Sequence, residues 1–349
     1  MTLQKHCFLN SLFMIFLTVL CSGCGEKKQT LHLYNWGDYL SEDVMLDFEK
    51  EFNCIVEQDF FDSNESLYAK LKAGAGGYDL IVPSSYMSKL MYAQKMIDKI
   101  DLTKLPNVTE NFDGKYTKIS LDSEMEYSVP YMISFGGIGY DYTKIKDFKP
   151  TWKMYEREDL KGRTSLLDDV RETMAAAFIA NGEKSVNVTD QEKIDQAVER
   201  INLWKKQIAK FGVDDSLQAL ASGEFLMVHS YNGDVLQVTM DNPNIRFVIP
   251  EEGGTVTFDS FSIPKDSKNK ELAYQFINYL YRPDVAAKNM NDLHFVMPHK
   301  TALPMVDEEL RENPVFQVFN EKDSKSYSID DLGDENEKYT KAWDKIRSE

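Results

Sequence analysis

From residue 29 onward the chain alternates short stretches of strand-like hydrophobicity with longer ones in which apolar residues recur every three or four positions. LHLYNW, residues 31–36, reads as a strand. Ser41 then suits the N-cap of a helix that carries Val44, Phe48 and Phe52 on one face, with Glu42 and Asp43 at its positive end. CIVEQDF is a second strand, NESLYAKLKA a helix stopped by Gly74, Gly76 and Gly77, and YDLIVPSS an unbroken apolar strand of the kind buried on both faces. This β-α-β-α-β order predicts a mostly parallel sheet with helices on both sides.

A second region of the same kind follows VPYMISFGGIGY. There RTSLLDDV is a strand, RETMAAAFIA a helix, and Asp190 to Lys210 a long amphipathic helix; FLMVHSYNGDV, IRFVIPEE and TVTFDSFSIP are further strands. Ala273, Phe276, Ile277, Leu280 and Tyr281 form one face of a late helix, and a terminal helix lies near Trp343. At 349 residues the chain is long enough for two domains with a core each. The expected fold is α/β: two lobes joined by extended crossings near residues 130–138 and 255–262, with a cleft between them.

The N-terminus breaks this pattern. Lys5 precedes the apolar run CFLNSLFMIFLTVL, and small residues then lead to Cys24, so residues 1–23 read as a cleaved signal peptide rather than a membrane span. Ser22-Gly23-Cys24 resembles the lipobox of bacterial lipoproteins, which makes Cys24 the expected lipidation site. Residues 24–29 are then a lipidated tether, and Gly25 to Thr30 reaches roughly 20 Å when extended. An uncleaved signal anchor is the competing reading, but no second apolar segment or basic cluster supports it. Cys7 and Cys21 leave with the signal, so Cys54 in FNCIVEQDF has no partner for an intrachain disulfide and reads as a small buried hydrophobe.

Residues 1–23 hold one lysine and no acid, so their removal leaves 39 basic against 57 acidic groups, a net charge of −18. Such a field argues against nucleic acid as a partner and favours cations. Where the acids stand matters more than their number. In open parallel sheets ligands sit beyond the carboxyl ends of the strands, and here those ends are Trp36-Gly37-Asp38-Tyr39, Ser84-Ser85-Tyr86, Asp168-Asp169, Tyr231-Asn232-Gly233-Asp234 and Phe258-Asp259. Carboxylates and aromatics recur at nearly every one.

Other chemistries find little support. His294 and His299 lack helical ligand spacing, so no metal is expected. In KAGAGGYDL a strand follows the glycines where a phosphate loop needs a helix. No nucleophile elbow or Cys/His pair is present, which leaves paired carboxylates of a glycosidase as the enzyme alternative. The pattern suits a thin, flexible, multivalent cation: buried ammonium groups need carboxylates to replace their water, and aromatic faces cover both cations and methylenes. A diamine or triamine has that shape.

YNWGDYL, DSNESLYAKLKAG followed by YDLIVPSSYM, LLDDVRETM, and FDSFSIPKDSKNKELAYQFINYLYRPDVA together resemble the bacterial spermidine/putrescine-binding proteins of polyamine ABC importers. The resemblance covers nearly the whole mature chain. It implies the type II periplasmic-binding-protein fold, with lobe 1 from residues 30–135 and 258–302 and lobe 2 from residues 136–257 and 303–349. It also implies hinge closure over a polyamine, putrescine or spermidine, and delivery to an ABC permease driven by an ATPase. No catalysis or cofactor follows from it, and a monomer on a lipid anchor facing periplasm or exterior is expected.

Carried over by position, the resemblance makes Trp36 and Tyr39 packing rings, Asp38 the acid for one amine, and Gly37 a backbone contributor only. Ser84 and Tyr86 fall on the family's serine and tyrosine, Asp169 and Glu172 on its acidic pair, and Asp259 on its acid for an inner or terminal amine. Asp168 and Arg171 are read as structural neighbours. Several positions depart from the family pattern: Tyr231 and Thr257 stand where tryptophans are common, Phe295 replaces a tyrosine, and Ile329 aligns with a glutamine. Asp234 matches an aspartate of putrescine-binding members. Thiamine or another organic cation in the same fold, and a surface interaction lipoprotein without a transport role, are the alternatives.

Overall fold

A computed structural model describes residues 28–74, 76–118, 121–313 and 325–348. The expected signal peptide 1–23 and the lipidation site Cys24 lie outside the described residues. In chain order the first elements are β1 (Gln29–Asn35), α1 (Glu42–Phe52), β2 (Cys54–Phe60), α2 (Asn64–Lys72), β3 (Leu80–Ile81), α3 (Ser85–Ala93) and α4 (Pro106–Asn111). Strand β1 lies between β2 and β3, parallel to both. Ser41 caps α1 as expected, its hydroxyl accepting from the Val44 amide, and Phe48 packs edge-on against Phe276. Cys54 is buried.

YDLIVPSS forms only two residues of ladder. Pro83 has no amide to continue the pairing, and Ser85 already begins α3. The apolar run is buried as predicted, but it is a strand end turning into a helix.

Next come β4 (Val129–Asp141), β5 (Thr164–Leu166), α5 (Val170–Ala180), α6 (Gln191–Lys205), β6 (Lys210–Phe211), α7 (Asp214–Ser222), β7 (Met227–Tyr231), α8 (Asn232–Asp241), β8 (Ile245–Val248) and β9 (Gly254–Phe261). The chain closes with α9 (Lys270–Leu280), α10 (Pro283–Leu293), α11 (Glu308–Arg311), β10 (Ser326–Ser328) and α12 (Asn336–Ser348). The larger sheet has the order β10-β9-β4-β7-β5-β6, with β8 also on β4. Helix α6 stops five residues short of the expected Lys210, because Lys210 and Phe211 pair with β5. Ala273, Phe276, Ile277 and Leu280 are buried on α9 and Tyr281 just beyond it, as the helical period required.

The two crossings are one structure. β4 and β9 pair antiparallel from Val129↔Phe261, beside the small sheet, to Gly136↔Thr255, inside the large one. The bridges Ile81↔Ser262 and Ser84↔Asp259 tie β9 to the first lobe. Asp259 therefore sits where the chain passes between lobes.

Among the described residues the buried apolar side chains form three clusters, the smallest of them around Leu220, Val228 and Val235. One apolar cluster joins β1, α1, α9 and α10, while a second runs from Tyr34, Ile81 and Met87 of the first lobe to Met174, Phe178 and Trp204 of the second. Val306 belongs to the first cluster, and Leu303 and Leu310 pack against that cluster.

The crossing strands leave no room for a side chain at Gly254, where a Cβ would lie 2.2 Å from the Gly136 carbonyl oxygen. That neighbour is backbone held in the β4–β9 ladder, so relief requires the strands to part. Gly254→Ala is expected to lower stability by about 1–3 kcal/mol, read as a reduced urea midpoint at unchanged slope.

Candidate functional site

Between the lobes the described residues enclose a cavity of about 80 Å³, where one buried water needs roughly 10–15 Å³ on the same measure. Of the residues singled out from sequence, Trp36, Tyr39, Ser84, Asp169, Tyr231, Asp234, Asp259 and Phe295 line it. Thr257, which stands in a tryptophan's place, lines it too.

Among the acids that line the cavity Asp259 is the least exposed, at 6% of its surface. Its Oδ1 accepts from the Ser84 hydroxyl at 2.7 Å, and its Oδ2 accepts from Tyr39 at 2.7 Å and from Ser134 at 3.4 Å. Ser84 is the N-cap of α3 but makes no side-chain cap; its hydroxyl is committed to Asp259 while Asn64 donates to it at 3.1 Å. Tyr39 meets Phe295 and Tyr131 edge-on at 4.7 and 5.7 Å. It thus holds the acid as well as forming a wall. Trp36 lies tilted on Phe61 at 4.3 Å.

The second lobe presents helix N-termini. Asp169 caps α5 by accepting from the Glu172 amide at 2.9 Å, and Asp234 and Asp214 stand in the first turns of α8 and α7, neither of which has a side-chain cap. The positive ends of these helices favour the charged carboxylates.

Three expected site residues are not brought to the lining. Asp38 takes a left-handed backbone with φ 48° and its side chain is exposed, bordering a different surface groove. Tyr86 is buried and donates to Glu65 at 3.3 Å. Glu172 is buried beneath the cavity, where it accepts from Thr255 at 2.5 Å. Arg171 lies over the rings of Tyr86 and Tyr339 and donates to Asn187 and Asn336, while Asp168 pairs with Arg347 at 3.0 Å. Ile329 is buried in the second cluster.

Other lining residues escaped the sequence reading. Phe61 and Asp62 follow β2 directly, so the strand-end rule that selected the others covers them as well. Val213 and Asp214 follow β6, which was hidden inside a predicted helix. Ser134 is in mid-strand and gave no signal.

The electrostatics are one-sided. The lining holds Asp62, Asp169, Asp214, Asp234 and Asp259, and among the described residues that form it there is no lysine, arginine or histidine. Burial pushes Asp259 up to about 6 against its three hydrogen bonds. Burial, with the charges of Asp214, Asp259 and Asp38, takes Asp234 to about 7. Burial and Asp169 take Glu172 to about 8, and burial and Asp169 also take Glu65 to about 7. An enclosed group of acids in this condition gains from any cation that enters.

Residues 47–317 match the family of bacterial extracellular solute-binding proteins. The chain belongs to that family. Among its relatives, the putrescine-binding periplasmic protein PotF of Escherichia coli strain K12 is 32% identical, over 92% of this chain and 92% of its own length. The putrescine-binding periplasmic protein SpuD of Pseudomonas aeruginosa strain UCBPP-PA14 is 33% identical, over 96% and 97%. The solved structure of the Tp0655 (TpPotD) lipoprotein of Treponema pallidum shares 31% identity and a TM-score of 0.81, over 92% of this chain and 100% of that one. The two lobes and their cleft are those of the type II fold of this solute-binding family.

The raised carboxyls set a pH dependence. Each holds a proton in the folded state at pH values where the unfolded chain has released it, so their contribution to stability is full below the ordinary carboxylate range and lost as pH rises through about 6 to 8. Ligand-free protein should therefore melt at lower temperature near pH 8 than near pH 5, and Asp234→Asn should flatten the slope. A melting temperature that climbs across that window would contradict the assignment.

Proposed function

We propose that this protein is the solute-receiving subunit of a polyamine ABC importer, anchored through a lipid on Cys24 and acting without catalysis. The observation that carries this reading is the enclosed cavity with five carboxylates, several aromatic walls and no basic side chain among its described lining residues. Putrescine and spermidine satisfy it: their ammonium groups supply the missing charge, and their methylenes lie against Trp36, Phe61, Tyr231 and Phe295. The putrescine-binding relatives point to the same ligand class.

Binding then works by closure. Gln237 of α8 donates to the Leu293 carbonyl at 2.9 Å, Lys89 of α3 pairs with Asp330 at 2.9 Å, and Arg171 faces Tyr86. Contacts of this kind form only when the lobes are together. A cation shared between Asp259 at the crossing and Asp169 and Asp234 on the second lobe adds free energy to that state alone, and this difference drives closure. Micromolar affinity requires only about 8 kcal/mol in total. The closed, liganded form is the one handed to a permease.

A thermal-shift panel of putrescine, cadaverine, spermidine, spermine, thiamine and ferric citrate tests the reading. A polyamine at about 100 times its dissociation constant should add roughly 2.7 kcal/mol of stability, and thiamine and ferric citrate should add none. Silence from every polyamine would end the proposal. Asp259→Asn should weaken the best ligand by about tenfold or more in calorimetry, with the ligand-free fold retained. In cells given a labelled fatty acid, Cys24→Ser should abolish labelling and release the protein from membranes.

A further inference from the structure

The second residue of α8 is a glycine, Gly233, that its own backbone does not ask for. It is helical and outside the left-handed region, and alanine is the better helix former. What excludes a side chain is a ring. A Cβ on Gly233 would lie 2.4 Å from Cδ2 and Cε2 of Phe295 and 2.5 Å from its Cδ1.

The two residues belong to different lobes. Behind Gly233, Val235 and Val238 of α8 pack with Leu220 and Val228 of the second lobe. Phe295 is 2% exposed and lies in the first cluster, and the backbone beside it is fixed there, the Val296 carbonyl accepting from the Ile133 amide at 2.8 Å. Its ring stands edge-on to Tyr39, whose hydroxyl donates to Asp259. One turn along α8, on the face that carries Gly233, Gln237 donates to the Leu293 carbonyl at 2.9 Å. Residues 293–295 of one lobe thus meet α8 of the other at two points, a hydrogen bond and a ring lying on bare backbone.

The contact has a consequence for the site. Gly233 does not line the cavity, but Asp234, the next residue, does. How closely α8 approaches Phe295 therefore sets how far Asp234 advances toward Asp259. A methyl group at position 233 would require the ring or the helix to retreat. The ring is packed within its cluster and against Tyr39, whereas the helix can withdraw with its whole lobe and leave both cores intact.

We infer that Gly233 is the seat on which Phe295 rests when the lobes close, and so a positioning residue for ligand binding. The inference rests on closure over a polyamine as proposed above. Its chemistry is shape alone: the seat touches no ammonium group, so it serves every ligand that closes the lobes equally.

Calorimetry with putrescine and spermidine, together with solution scattering, on the full chain, Gly233→Ala, Phe295→Leu and the double variant tests this. Ligand-free Gly233→Ala should keep its melting temperature within about 3 °C, because lobes without ligand are free to stand apart. Its affinity for both polyamines should fall by about tenfold or more, as the closed population falls, with their ratio changed by less than about threefold. Saturating ligand should contract it less than the unaltered chain. Phe295→Leu should weaken binding in the unaltered chain but strengthen it in Gly233→Ala, because a smaller side chain makes room for the methyl. Unchanged affinity in Gly233→Ala, a loss confined to one polyamine, equal losses from Phe295→Leu in both backgrounds, or a larger fall in ligand-free melting temperature would overturn the inference and leave the polyamine reading standing. Binding of neither polyamine by the unaltered chain would overturn both.

Discussion

The structure turns on a carboxylate buried where the chain passes between its lobes. Asp259 lies on β9 opposite Met132 of β4, and it is held by Tyr39 and Ser84 from the first lobe and Ser134 from the crossing itself. Hydroxyls can orient an acid and partly offset its burial, but they cannot neutralise it. The protein thus carries an unbalanced charge at its hinge, and a cation that balances it also favours the arrangement in which both lobes surround the site.

Local rules are broken around that charge. Ser84 gives up capping α3 to hold Asp259, Glu172 turns away from the capping box that Asp169 offers and bonds Thr255, and α7 and α8 open without side-chain caps toward the cleft. Side-chain caps form at Ser41, Ser63 and Asp190, whereas α4, α9, α10 and α11 also open without one. What is particular to the cleft is that Ser84 and Glu172, residue types that serve well in caps, spend their side chains on Asp259 and Thr255 instead.

Much of the fold was legible because its signals are local. The helix faces through Val44 and Phe48 and through Phe276 and Leu280, the strand CIVEQDF and the order of elements all follow from periodicity, and β2 spans the residues predicted for it. The failures share a cause in pairing at a distance. Lys210 and Phe211 join a ladder with β5 that no local pattern announces, and Pro83 ends a strand whose hydrophobicity continues.

By itself the sequence determined the α/β class and the acidic and aromatic character of the cleft segments, because the ends of β1, β3 and β5 run parallel to their neighbours and emerge there; Asp259 reaches the cleft from inside β9, which pairs antiparallel with β4. Only the tertiary structure decided which of those side chains face inward. A single left-handed residue turns Asp38 outward, Tyr86 and Glu172 are drawn into contacts behind the cavity wall, and Asp214, with no motif to mark it, is carried by a two-residue strand to a place opposite Gly37. The reason is geometric: sequence spacing places a residue at the end of a strand, but the direction of its side chain depends on backbone dihedrals and on what the opposing lobe presents.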